Sequence, residues 1–290
     1  MSADVQQEST SLAIEIANPT WQQQLRLGLR TIVGRAYPRL VSANREPDWI
    51  FYEVALPLLQ IIAFALVYKA LHRPDFIGIL VMGGALLAFW QNVLWSMAGQ
   101  LHWERQSGNL ELYLMAPPSM LWILAGMAFG GMFATLMRAI AIVTIGSLIF
   151  GVTYQIVSTP LLIVVFLITM IALYGMGSML ASLYLLYNRE VWALQEVIQD
   201  PVALISGFYF PVRTLGGFAG SLASLIPLTL GLDAMRQLMF PATHIPFLPY
   251  MIEIGILAVL LVLFIFGAIV SFTYIERRAK IEGKLSLKWQ

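Results

Sequence analysis

The sequence predicts an all-α membrane protein with six transmembrane helices, and three observations predict it. Of 290 residues, 59% are hydrophobic and only 11% charged, where a soluble domain carries roughly 25% charged residues. Residues 76–103, 112–137 and 139–188 contain no Asp, Glu, Lys or Arg, and such runs reach or exceed the roughly 20 residues that one crossing needs. The charges between these runs come in short islands, as loops at a membrane surface require.

In chain order, the first 18 residues are polar and acidic, with no charged-then-apolar leader pattern. They read as a disordered cytoplasmic tail. Asn18-Pro19-Thr20 has the residues of a helix start, a capping Asn followed by Pro at the first position. From it an amphipathic interfacial helix is expected over 19–46. Trp21, Leu25, Leu29, Ile32 and Ala36 share its apolar face, Arg26 and Arg30 flank one side and Arg35 the other. The arginines are expected to reach lipid headgroups, and Pro38 is expected to stop the helical run.

The spans are expected at about 49–71, 78–101, 119–150, 161–186, 191–208 and 250–275, making one six-span domain over 47–275. Trp49, Phe51 and Tyr52 form an aromatic belt at the first. The turn between the third and fourth falls in the stretch from Gly151 to Pro160, and Asn188-Arg189-Glu190 marks a polar border. Residues 211–238 carry Pro211, Arg213, Gly216, Gly217, Pro227, Asp233 and Arg236. That is too interrupted for a clean span and too apolar for a free loop, so short helices dipping back into the membrane are expected there. The tail 276–290 is basic. Twelve of the seventeen cations, namely Arg26, Arg30, Arg35, Arg39, Arg45, Arg105, Arg189 and the five from Arg277 to Lys288, fall on one side. Lys69, Arg73, Arg213 and Arg236 fall on the other. The bias puts both termini in the cytoplasm.

Chemistry is sparse. Cysteine is absent and the three histidines are scattered at expected borders, which argues against a thiol nucleophile or a metal site. The only Gly-Lys pair, Gly283-Lys284, is followed by Leu285, and Arg278 stands where a phosphate loop would have its first Gly. If ATP drives this chain, another subunit binds it. Glu196 and Asp200 sit four apart on one helical face near the cytoplasmic border rather than at mid-span, which disfavours a carboxylate dyad. Arg138 is the charge left within the third span, and a mid-span charge costs about 2.5–3.5 kcal/mol on insertion scales. It either lines a conduit or pairs with a backbone carbonyl or neighbouring carboxylate. Asp233 and Arg236, three apart, are expected to pair as a structural element. Gly126 and Gly130 form a G-x-x-x-G spacing that permits close helix contact.

The island between the second and third spans is the most distinctive stretch. Leu101, Trp103, Leu110, Leu112 and Leu114 are expected against lipid or the bundle. Glu104, Arg105, Gln106, Asn109 and Glu111 are expected to be free to meet a partner. Glu104-Arg105-Gln106-Ser107-Gly108-Asn109-Leu110-Glu111, followed by Leu114-Met115-Ala116-Pro117, resembles the cytoplasmic motif of type-2 ABC exporter permeases. The run from Ser206 to Val212, Ile226-Pro227-Leu228-Thr229 and Asp233-Ala234-Met235-Arg236 look like that family's region after the fifth span. Asn109 departs from the family, where Thr is commoner. The resemblance covers residues 20–275.

It implies a half-transporter that is not itself an enzyme. Two permeases, identical or different, would work with two ATP-binding subunits, which hold the ATP and Mg. The island 102–118 would be a coupling helix, with Glu104, Arg105, Gly108, Leu110 and Glu111 meeting the ATPase. Segments 211–222 and 224–238 would form an external gate containing Pro211, Pro227, Asp233 and Arg236. Arg138, Phe208, Tyr209 and Phe210 are candidates for the path, and the first and fifth spans are expected at the dimer interface. Small hydrophobic or amphipathic compounds of the drug type are the favoured cargo, and a lipid-linked glycan or lipo-oligosaccharide is the alternative. An ATP-independent secondary transporter would need more mid-span ion ligands than Arg138.

Overall fold

The computed structural model describes residues 21–43, 45, 47–116, 119–186 and 191–282. The expected tail 1–18, the helix start at Asn18, Pro117-Pro118, the border Asn188-Arg189-Glu190 and the end of the basic tail lie outside them. The described residues are helical and connected by turns, with no strand among them.

Helix α1 (Trp21–Ala43) lies along α6 (Met120–Phe150). Pro38 does not stop α1, which continues to Ala43. Proline removes the bond to Gly34 and crowds its carbonyl. Packing on α6 flanks this defect: Ile32 lies against Gly126, and Ala36 and the Arg39 Cβ lie against Gly130. The G-x-x-x-G pair explains the docking. A Cβ on Gly126 or Gly130 would lie 2.9 Å from the carbonyl oxygens of Ile32 and Ala36 respectively, so α1 approaches α6 to backbone contact.

Helices α2 (Pro47–Ala70) and α3 (Phe76–Gln91) follow. A wider π-helical turn over Asn92–Ala98 then leads into α4 (Gln100–Gln106). After α5 (Asn109–Met115) and α6, Gly151 closes the helix in the left-handed region at φ 65°. Then come α7 (Thr159–Leu186), α8 (Val191–Ile205), a 3-10 turn at Val212–Leu215, α9 (Gly216–Ala223), α10 (Pro227–Met239) and α11 (Tyr250–Glu282). Five helical stretches among the described residues are long and apolar enough to cross a membrane: Ile50–Ala70, Phe76–Gln106, Met120–Phe150, Thr159–Tyr184 and Tyr250–Ile275. The segment expected as a fifth span is instead a 15-residue helix with Pro201 inside it, about 22 Å long at 1.5 Å per residue against a hydrocarbon core of roughly 30 Å.

The second span is the core. Its most apolar window is 89% buried, whereas those of Ile50–Ala70 and Tyr250–Ile275 are 17% buried. Residues 206–208 run close beside it at one end. A Cβ on Gly83 would lie 1.8 Å from the Phe208 carbonyl oxygen. Arg236 on α10 fastens that junction. Its guanidinium donates to the carbonyls of Ile79 at 2.8 Å, Gly207 at 2.6 Å and Phe208 at 3.0 Å. At the other end Gln195 on α8 reaches Leu94 of the same span. The chain from Gln195 to Phe208 therefore runs antiparallel to α3, from the level of Leu94 to that of Ile79.

Gly83→Ala is expected to lower thermal stability sharply, by at least the 1–3 kcal/mol (roughly) typical of overpacking, because the atom it meets is backbone. Gly255→Ala, where nothing lies within 4 Å, serves as the neutral comparison. Fluorescence-monitored melting in lipid nanodiscs would measure both, and equal melting temperatures would contradict the packing at Phe208.

Candidate functional site

The island after the buried span folds as two short helices with a sharp bend. In α4, Ser107 closes the turn by donating its N–H to Trp103 O at 2.9 Å. Gly108 donates to Arg105 O at 3.1 Å and adopts φ 76°, a left-handed conformation that favours glycine. The chain bends there and α5 begins at Asn109. The bend holds because two leucines anchor it. Leu101 and Leu110 are buried in a cluster with Met120, Ile123, Leu124 and Met127 of α6, Tyr184 of α7 and Phe272 of α11.

Glu104 organises the bend. The carboxylate accepts from Arg35 of α1 at 3.1 Å, from Gln100 at 3.0 Å and from Asn109 across the turn at 2.9 Å. The Arg35 guanidinium also lies 4.8 Å from the centre of the Tyr113 ring on α5. Arg39, one turn along α1, donates to Gln100 Oε1 at 2.9 Å and to Ser96 O at 2.6 Å. Burial pulls the Arg39 guanidinium below its ordinary pKa.

This corrects two expectations. Arg35 does not reach toward headgroups; it and Arg39 brace α1 against the island. Glu104 is not free to meet a partner, because its side chain is only 11% exposed and its oxygens are occupied within the chain. The physical reason is that an ionised carboxylate at a bend is best satisfied by the three donors that converge there. The outward surface is made instead by Trp103, Gln106, Leu112 and Met115, with Arg105 half-exposed beside them. Leu112 is therefore not packed into the bundle. Asn109 is exposed but spends its amide on Glu104, Leu110 is fully inside, and the Glu111 and Leu114 side chains lie outside the described set.

The other candidates separate. Arg138 of α6 forms an ion pair with Glu53 of α2, the neighbouring-carboxylate alternative of the two readings. Phe208 is fully buried and faces the core rather than an open path. Tyr209 stacks on Phe64 at 4.4 Å between centroids, and Tyr68 donates to its carbonyl at 2.7 Å. Phe210 is half-buried, while Pro211 and Pro227 are buried at the starts of the 3-10 turn and of α10. Asp233 and Arg236 do not pair with each other. Arg236 is used by three carbonyls, whereas Asp233 meets His244 at 2.9 Å and the Phe247 N–H at 3.0 Å. Spacing in sequence put both on one helix, but the groups opposite each differ.

Arg39, Glu53, Gln195, Gln199 and His244 carry contacts that sequence reasoning did not single out. The signal for the glutamines was present: they share the i, i+4 spacing of Glu196 and Asp200 but occupy the inward face, while both carboxylates are exposed.

The family model for the ABC-2 type transporter matches residues 39–240, which include α2 to α10, the island and the Arg236 junction. No curated protein is a significant match to the chain.

Glu104→Ala and Arg35→Ala should each lower stability by about 1–2 kcal/mol, less than the loss for a fully buried pair because Arg35 is partly exposed. The double variant should lose less than the sum of the two, with a coupling on the order of 1 kcal/mol in a thermal or denaturant melt. Strict additivity would contradict the brace.

Proposed function

The chain belongs to the ABC-2 type transporter family, whose members are membrane subunits that pair with an ABC ATP-binding subunit, and from that premise we propose that it is the permease half of an ATP-driven exporter. The observation that carries the reading is the island. A bent, charged element with an exposed rim of Gln106, Leu112 and Met115 stands at the end of the most buried span. Displacing it must therefore load that span.

In this reading the island is the coupling helix, and both termini lie with it in the cytoplasm. Trp103, Arg105, Gln106, Leu112 and Met115 contact the ATPase, and Glu104, Gly108 and Leu110 shape the surface that they present. The described part of Glu111 adds its backbone to α5. The chain crosses six times, with α8 and residues 206–208 as the short fifth crossing. Support for this is the antiparallel run of that segment from Leu94 to Ile79. Two copies meet through α2 and α8, and α2 exposes Phe51, Leu59 and Leu66 for such a contact.

ATP and Mg bind the partner subunits. Their closure pushes the island, and the Arg35–Glu104 brace carries α1 along with it. The segment from Pro211 to Arg236 is the external gate. Arg236 and Asp233 hold its fold, and Tyr209 and Phe210 lie at its threshold. The Arg138–Glu53 pair ties the third span to the first, so that the two move together. The cargo is a small hydrophobic or amphipathic compound moved out across the cytoplasmic membrane. Two apolar cavities support this class. One of about 520 Å³ lies between α6, α7 and α11, and one of about 360 Å³ is walled by Met82, Phe89, Phe166, Met235 and Met239.

Arg105→Ala combined with Leu112→Ala and Met115→Ala is expected to reduce co-purification of the ATP-binding subunit by at least about tenfold, as loss of interface anchors does. The transport arm uses inside-out vesicles given ATP and either an amphipathic dye or a lipid-linked oligosaccharide. Dye uptake supports the favoured cargo, and uptake of the oligosaccharide alone replaces it. Undiminished ATPase binding after replacement of residues 102–116 by a Gly/Ser linker would refute the coupling assignment.

A further inference from the structure

The buried span is not α-helical throughout. Over Asn92–Ala98 the backbone widens into a π-helix, and Gly99 donates back five residues to Leu94 O at 3.2 Å. Such a turn shifts carbonyls away from ideal axial partners, and side chains of two other helices take them up here. Gln195 of α8 donates Nε2 to Leu94 O at 2.7 Å, and Arg39 of α1 donates to Ser96 O at 2.6 Å. Gln199, one turn further along α8, accepts from the Trp95 indole N–H. Asn92 accepts from the Tyr174 hydroxyl of α7 at 2.9 Å. Two glycines let these neighbours close in. A Cβ on Gly99 would lie 2.5 Å from the Gln195 amide nitrogen, and one on Gly177 would lie 2.5 Å from a Val93 methyl.

Position gives the turn a role. On one side α3 is buried continuously from Ile77 to Trp90 and is locked by close packing. On the other side is the island with its exposed rim. A force on the island cannot slide α3, so the strain is taken up where the helical ladder is weakest. Two of the grips at that point, Gln195 and Gln199, belong to α8, whose following residues Gly207 and Phe208 are held by Arg236 on the gate helix. A hydrogen-bonded connection therefore runs from the turn through α8 to the gate.

We propose that the π-helical turn Asn92–Ala98 is the joint at which displacement of the island bends the second span, and that Gln195 and Gln199 are positioning residues that pass this movement to α8 and the external gate. The proposal rests on the reading of the island as the ATPase-facing surface. Glu196 and Asp200, exposed on the neighbouring face of α8, take no part in it.

Because the chain contains no cysteine, single spin labels can be placed on Ser107→Cys, exposed at the bend and outside the proposed contact set, and, separately, on Phe218→Cys of the exposed helix α9. In the permease–ATPase complex in nanodiscs, ATP with vanadate should shift the inter-copy label distance at both positions. In the Gln195→Leu/Gln199→Leu variant the shift at Ser107 should persist, with ATP hydrolysis retained, and the shift at Phe218 should vanish. Val197→Ala, exposed on the same helix, should behave as wild type. Hydrogen exchange on the permease gives a readout without the ATPase: in the double-glutamine variant the amides of residues 99–103 should exchange about tenfold faster while those of α3 stay unchanged. A full-sized Phe218 shift in that variant, or unchanged exchange at residues 99–103, overturns the joint alone. Absence of any Ser107 shift in the wild-type complex overturns the partner-facing reading and the proposal with it.

Discussion

Inside hydrocarbon a backbone carbonyl has no water to turn to, and leaving one unpaired costs several kcal/mol. At two places along the core span of this chain, side chains of other helices donate to main-chain carbonyls. At the π-helical turn, Leu94 and Ser96 are served by Gln195 and Arg39. At the opposite end, Ile79, Gly207 and Phe208 share the single guanidinium of Arg236. Arg236 is fully buried and remains tolerable because its planar fork meets several acceptors at once. Each of these contacts is a cross-link, joining the core span to α1, α8 or α10.

The two ends of the core span differ in what they join. The Arg236 end is closed by contacts internal to the chain: Arg236 on main-chain carbonyls, and Asp233 with His244 and Phe247. The island end is braced on one side by Glu104 and Arg35 and leaves a rim of Gln106, Leu112 and Met115 uncovered. Between the two ends the span is buried continuously from Ile77 to Trp90 and close-packed.

Much of this was legible beforehand. The apolar runs and the charged islands identify a multi-pass helical protein, and the residues around Glu104 and Gly108 identify its family. Gly126 and Gly130 were visible as a contact motif, although their partner, α1, was not. The sequence reading missed the inward course of Glu104 and the separation of Asp233 from Arg236. It also missed the continuation of α1 past Pro38 and the contacts of Gln195 and Gln199. In each case the deciding group lies on another helix: Arg35 for Glu104, the Ile79 and Phe208 carbonyls for Arg236, α6 for α1, and the widened turn for the glutamines.

What the sequence alone determined is the helical membrane class, the position of the island and the lack of a recognisable phosphate loop. These depend on hydropathy, charge and local motifs, which are properties of consecutive residues. Only the tertiary structure decided that the second span is the core and which polar groups face inward. Spans that are apolar around their whole circumference carry no stripe to say which face meets which neighbour. That choice is made by close approach at Gly83, Gly126 and Gly130 and by side chains that donate to main-chain carbonyls.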